Sequence, residues 1–99
     1  MSLTHYKLTQ EADNDLDQIF DYTEVEFGFD QAVRYLTEIR MLFDKLVVTP
    51  NLGRSRNELR SHTFSITHQK HIIFYSIEPD SILIIRILHS SRDLPKFLK

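Results

Sequence analysis

The apolar residues of this 99-residue chain change their spacing at Pro50, and that change constrains the fold more than any other feature. Before Pro50 they recur at helical intervals; after it they alternate, or run together in β-branched stretches. Ala12, Leu16, Ile19, Phe20 and Thr23 share one face of an amphipathic helix. Asp13, Asp15, Asp17, Asp21 and Glu24 largely avoid that stripe and are expected on its solvated side. Thr9 is placed to cap the helix, with Glu11 and Asp13 near the positive end of its dipole. Gly28 can take the left-handed conformation that ends it, and Asp30 is expected to cap a second helix. That helix carries the broader stripe Ala32, Tyr35, Leu36, Ile39, Leu42, Phe43, Leu46 and Val47. It should stop near Val48-Thr49, because proline disfavours helical geometry in the residue before it. So short a connection predicts an antiparallel helical hairpin.

Asn51-Leu52-Gly53 is a turn signal, and Arg54 to Arg60 reads as a polar loop with a helical turn. Phe64 and Ile66 alternate with polar neighbours; His71 to Ile77 and Ile82 to Leu88 are β-branched and aromatic. Pro79-Asp80 turns the chain between the last two. With a short first strand at Tyr6-Lys7-Leu8, the order is β-α-α-β-β-β. The expected fold is α+β, a single domain over residues 1–99 with a helical hairpin on a mainly antiparallel sheet. Ile73, Tyr75 and Ile77 alternate with Ile72, Phe74 and Ser76, so both sheet faces are apolar and the helices can cover only one. The other face needs the chain's own tail, where Phe97 and Leu98 are available, or a partner.

The chain has no cysteine, which excludes disulfides and thiolate metal sites. The segment from Met1 to Lys7 lacks the apolar stretch of a signal peptide, and the run Ile82 to Ile85 is far too short to cross a bilayer. A cytoplasmic location and no membrane partner are therefore expected. The net charge of −2 conceals an asymmetry: residues 1–50 carry four Lys/Arg against ten Asp/Glu, residues 51–99 eight against four. Two surfaces with different partners would look like this, and so would a solvated acidic helix pair beside a mildly basic sheet.

His68-x-x-His71 has the look of a metal pair, but residues three apart on a strand point to opposite faces, so neither a metal site nor a cofactor is expected. Phe27 and Phe29 flank Gly28 where loops are normally polar; a hydrophobic staple and a contact patch are both open. Arg54, Arg56 and Arg60 could grip an acidic partner, since arginine pairs carboxylates bidentately, or could be solvated. Arg60, directly after Leu59, is the one expected to be structural.

Several segments together carry a family resemblance. Thr49 to Arg54 followed by Asn57-Glu58-Leu59-Arg60, the strand His71 to Tyr75, Ile84 to His89 with Arg92-Asp93, and Ala12-Asp13, Asp15-Leu16, Ile19 and Asp21-Tyr22 resemble the ParE toxin family in order and spacing, from Tyr6 to Leu94. The strand Phe64 to Gln69 departs from the pattern by lacking glycine, so its turn is expected to differ. The resemblance implies the small fold shared by ParE-like and RelE-like toxins, a toxin held in a hetero-oligomer by a ParD-like antitoxin, and DNA gyrase as the target. It implies no enzymatic step and no sequence-specific nucleic-acid binding. On that basis His89, Arg92, Lys96 and Phe97 are candidate target-binding residues, and Phe27, Phe29, Arg54 and Arg56 candidate antitoxin contacts. The rival implication is a RelE-like messenger-RNA endonuclease, in which His89 would be acid or base and Arg86 and Arg60 would hold phosphate. The slightly acidic chain speaks against it, because such nucleases need a basic footprint. A third reading is an inactive homologue that only captures antitoxin.

Overall fold

The computed structural model describes residues 3–91. Strand β1 (His5–Leu8) leads into helices α1 (Gln10–Phe27) and α2 (Phe29–Val48). A short 3-10 turn, Pro50–Leu52, precedes β2 (Arg54–Ser55), β3 (Thr63–His68), β4 (His71–Ile77) and β5 (Ser81–His89). The sheet order is β1-β5-β4-β3-β2, with β1 parallel to β5 and the other pairings antiparallel.

The Thr9 side chain accepts the Ala12 N–H at 3.0 Å and so caps α1, while its hydroxyl donates to the Ile85 carbonyl at 2.7 Å. The cap therefore also pins the helix to β5. Gly28, at φ 94°, is the single residue between the helices, and its N–H closes on the Glu24 carbonyl at 2.9 Å. This corrects the expectation for Asp30. The helices abut so closely that α2 has Gly28 at its N-cap and no side-chain cap, and Asp30 lies inside the first turn. There it still faces the positive end of the helix dipole.

The main core packs Leu16 and Ile19 of α1 and Ile39, Phe43 and Leu46 of α2 against Ile73, Tyr75, Ile82, Ile84 and Ile87 of the sheet. Burying a Phe43-sized side chain contributes roughly 2–3 kcal/mol. Ile84 and Ile87 are three residues apart yet both face the helices. An irregularity makes this possible: Phe74 pairs with Arg86 but Tyr75 with Ile84, leaving Ile85 as the extra residue of a β-bulge.

The second sheet face carries Phe74 and Leu88, with Ile72, Ile85 and Leu59 packed on them. Leu59 comes from the segment expected to be a solvated loop. The first two residues of that segment form β2, and the expected helical turn follows, with the Arg60 N–H on the Arg56 carbonyl at 3.2 Å; the segment folds back along β3, where the Arg56 N–H donates to the Thr63 carbonyl at 2.7 Å. The polar residues on either side of Phe64 are buried as a result, Thr63 to 1% exposure and Ser65 to 6%.

Tyr75 locks the turn after α2. Its buried hydroxyl donates to the Pro50 carbonyl at 2.7 Å and accepts the Gly53 N–H at 2.9 Å. A Cβ on Gly53 would stand 2.6 Å from both the Ser65 carbonyl oxygen and the Tyr75 hydroxyl, so the sequence needs glycine here for close approach.

Candidate functional site

α1 crosses the sheet at the C-terminal end of β5, and a groove opens between them. One cleft of about 780 Å³ is lined by Glu11, Asp15, Gln18 and Tyr22 of α1 and by His71, Arg86 and His89 of the sheet. A second, of about 520 Å³, runs under the hairpin tip between Tyr22, Phe27, Gln31, Tyr35 and the β3–β4 turn. Tyr22, His71 and His89 belong to both.

Asp15 forms the floor. β1 ends at Leu8, opposite Ile84, so the outer edge of β5 beyond that point has no strand beside it. The Asp15 carboxylate takes the strand's place: it accepts the Ile87 N–H at 2.9 Å and receives Arg86 through Nε at 2.8 Å and an Nη nitrogen at 2.9 Å. The expectation of a solvated Asp15 is thus corrected. One turn before Ile19 it lies on the flank facing β5, and the unpaired edge N–H supplies the reason for a buried acid. The carboxylate pair, led by its hydrogen bond, raises the Arg86 guanidinium above its usual value.

Four ionisable side chains meet at the β3–β4 turn. His68 and His71 are direct cross-strand partners flanking the two-residue turn Gln69-Lys70, so they lie on one face, not on opposite faces of a single strand. Both rings lie against Tyr35 of α2, with centroids 5.5 and 5.6 Å from it. The Tyr35 hydroxyl is 2.7 Å from Nδ1 of His71, and His68 Nε2 is 3.0 Å from Glu38. Among the described residues no group of three His, Cys, Asp or Glu could hold a metal ion. Burial, then the neighbouring His89 and His68, pushes the His71 ring down to about 4. Burial, helped by Glu38, pushes the Tyr35 hydroxyl up. Gln69 takes φ 52° in the turn, the conformation a glycine would supply more readily.

The other candidate residues scatter. His89 is exposed at the end of β5, its ring 5.6 Å from that of His71. Phe27 and Phe29 are exposed at the hairpin tip, 69% and 59%, and Phe29 packs edge-on against Phe20 at 5.9 Å. Arg54 and Arg60 are exposed. Arg56, not Arg60, is the arginine built into the structure: it pairs with Glu58 at 2.7 Å, donates to Ser65 Oγ at 3.2 Å and lies over the Phe74 ring. Arg92, Lys96 and Phe97 lie outside the described residues. The histidine–tyrosine cluster was missed in the sequence because it joins residues of α2, β3, β4 and β5.

The family model for the ParE toxin of type II toxin–antitoxin systems matches residues 6–94. The chain belongs to the ParE toxin family. Among curated relatives of this ParE-family chain, Toxin ParE1 of Mycobacterium tuberculosis is 29% identical over 96 residues, covering 96% of the chain and 98% of the relative. Toxin ParE1 of Caulobacter vibrioides is 31% identical over 86 residues, 87% of the chain and 88% of the relative. Among solved structures, a chain of the chromosomal ParDE system from P. aeruginosa superposes with a TM-score of 0.75 at 24% identity, covering 88% of this chain and 95% of that one. One from the RelBE2 toxin–antitoxin complex of Mycobacterium tuberculosis gives 0.68 at 19%, covering 90% and 93%. Both support the α+β fold expected from the sequence. In this ParE-family chain no helix among the described residues is long and apolar enough to cross a membrane.

Proposed function

We propose that this toxin acts by binding DNA gyrase, with no enzymatic step of its own, and that a ParD-like antitoxin holds it inactive in a hetero-oligomer. The observation that carries the reading is the family match over residues 6–94. The chemistry of the groove supports it. Arg86, the cation best placed to hold a phosphate there, is already bidentate to Asp15, and Glu11 and Asp15 line the same wall. Among its described lining residues the larger cleft holds no Lys or Arg beyond the engaged Arg86 to draw a phosphate backbone. His71 is depressed to about 4 and cannot hold a proton for a leaving group near neutral pH.

The antitoxin contact falls to the hairpin tip, where Phe27 and Phe29 stand beside exposed Tyr22 and Val25. An amphipathic helix laid on such a surface is a standard recognition mode. Arg54 has the reach to pair an acidic residue of the antitoxin, whereas Arg56 is engaged internally. Target contact is assigned to His89 at the mouth of the groove and to Arg92, Lys96 and Phe97, which follow it in sequence.

One observation favours the endonuclease reading: two histidines and two tyrosines meet in an open cleft. A gyrase assay with purified protein, scored for cleaved DNA and supercoiling beside a translation reaction, separates the readings. Accumulated cleaved DNA with intact translation is the expected result. Intact supercoiling with cleaved messenger would overturn it in favour of nuclease chemistry. Inertness in both would leave the antitoxin-capturing homologue.

A further inference from the structure

The last rung of the β4–β5 ladder is His71 opposite His89, two histidines directly paired across the mouth that both clefts share. Each ring is held by its Nδ1. Nδ1 of His89 accepts the Ser91 N–H at 3.1 Å and lies 2.8 Å from Ser91 Oγ; Nδ1 of His71 lies 2.7 Å from the Tyr35 hydroxyl. A backbone N–H can be accepted only by a bare ring nitrogen, so in this geometry Nδ1 of His89 acts as the acceptor and Nε2 is the ring's donor. The rung is closed just beyond by the Ser90 N–H, which donates to the Lys70 carbonyl at 2.8 Å.

We propose that the His71–His89 rung is a proton-operated gate: proton uptake by the pair opens the end of the β4–β5 ladder and reshapes the groove between α1 and the sheet. A proton on His89 Nδ1 would be accepted by the Ser91 hydroxyl at 2.8 Å but would leave the Ser91 N–H facing a donor, without the acceptor that closes the turn over residues 89–91. A proton on His71 is met differently. The Tyr35 oxygen can accept it by turning its own hydrogen towards the His68 carbonyl, 3.4 Å away, but the ring then carries charge within a half-buried cluster. Two charged rings 5.6 Å apart would repel across that rung.

The charges of the described residues do not cancel that repulsion. From α1, Asp15 faces the pair, but its carboxylate is held by Arg86 of β5; Glu11 lies further along the cleft. From α2, Glu38 is engaged by His68 of β3 at 3.0 Å, and Tyr35 is neutral. The turn contributes Lys70, a further positive charge at the rim. Protonation therefore adds positive charge where two of the described acids, Asp15 and Glu38, already have partners. The gate is independent of what occupies the groove, and so stands apart from the gyrase reading.

Amide hydrogen exchange on the full chain tests it, because the Ser90 N–H reports the rung directly. After correction for intrinsic rates, protection at Ser90 is expected to fall at least tenfold between pH 7.5 and 4, the range in which His71 takes up its proton. Amides at the Ile77–Ile82 end of the same ladder should keep theirs. His89→Gln, at an exposed position, keeps an acceptor for Ser91 but takes up no proton, and should flatten the Ser90 profile. His71→Gln provides the second arm. A Ser90 profile flat in the unsubstituted protein would overturn the gate. So would a fall shared by the whole ladder, or one that persists in both variants.

Discussion

The Asp15 carboxylate and the Arg86 guanidinium lock α1 to β5 through two hydrogen bonds of 2.8 and 2.9 Å, and the same carboxylate accepts the Ile87 N–H. With side-chain exposures of 8% and 20%, the pair is largely withdrawn from water. Losing one partner leaves the other charged, desolvated and alone. Asp15→Ala is therefore expected to cost about 3–4 kcal/mol, read as a drop in the urea midpoint. Asp15→Asn, which can still accept the Ile87 N–H, should cost less. A loss under about 1 kcal/mol for Asp15→Ala would show that the pair does not hold the helix.

Gly53 and Tyr75 form a second lock of a different kind. Tyr75→Phe leaves the Gly53 N–H and the Pro50 carbonyl without their shared partner, an expected loss of about 1–3 kcal/mol by chemical denaturation. Gly53→Ala should be worse. Its Cβ meets a backbone oxygen at 2.6 Å that cannot rotate aside, so β2 must shift from β3. If Gly53→Ala proves milder than Tyr75→Phe, the glycine is not there for close approach.

His71 gives stability a pH dependence whose sign is fixed. Its folded value, about 4, lies below the ordinary histidine value of 6.5, so the native state binds fewer protons than the unfolded state between those limits. Its contribution is complete above about pH 6.5 and is lost as pH falls towards 4. Discounted for half-burial, the contribution is on the order of 2 kcal/mol. Urea midpoints of the unsubstituted protein and His71→Gln should converge between pH 7.5 and 4.5. Parallel curves would remove His71 as the cause.

At the hairpin tip stability and binding should separate. Phe27→Ala is expected to cost under about 0.5 kcal/mol, because the side chain is largely exposed, and Phe29→Ala slightly more for its contact with Phe20. In a pull-down with co-expressed antitoxin, the double variant should lose at least tenfold in capture. Full capture would move the antitoxin contact elsewhere.

The two helices, the cap of the first, the stop of the second, the strands other than β2 and the turn at Pro79-Asp80 could be read in the sequence because each rests on local spacing or on one residue's backbone preference. Thr9, Gly28 and Pro50 act where they stand. Asp15 could not be read, because its burial answers an unpaired N–H seventy-two residues away. Nor could the burial of Thr63 and Ser65, which depends on how the chain after Gly53 folds back. His68 and His71 were misjudged for a narrower reason. Treated as one strand they diverge; placed on either side of a two-residue turn they converge. Arg56 and Arg60 look alike in sequence, and only the Phe74 ring and Ser65 beneath Arg56 tell them apart.

The parallel pairing of β1 with β5, His5 beside Ser81 through Leu8 beside Ile84, joins the first strand of the described residues to their last. Until Ser81 to His89 have left the ribosome, β1 has no neighbour, Asp15 has neither Arg86 nor the Ile87 N–H, and Leu16 and Ile19 lack Ile84 and Ile87 to pack against. A nascent chain stalled anywhere before β5 can hold a helical hairpin but no finished sheet. The described fold thus closes only when β5 is in place, and a chain stopped before Ser81 leaves both β1 and the inner face of α1 without their sheet partner.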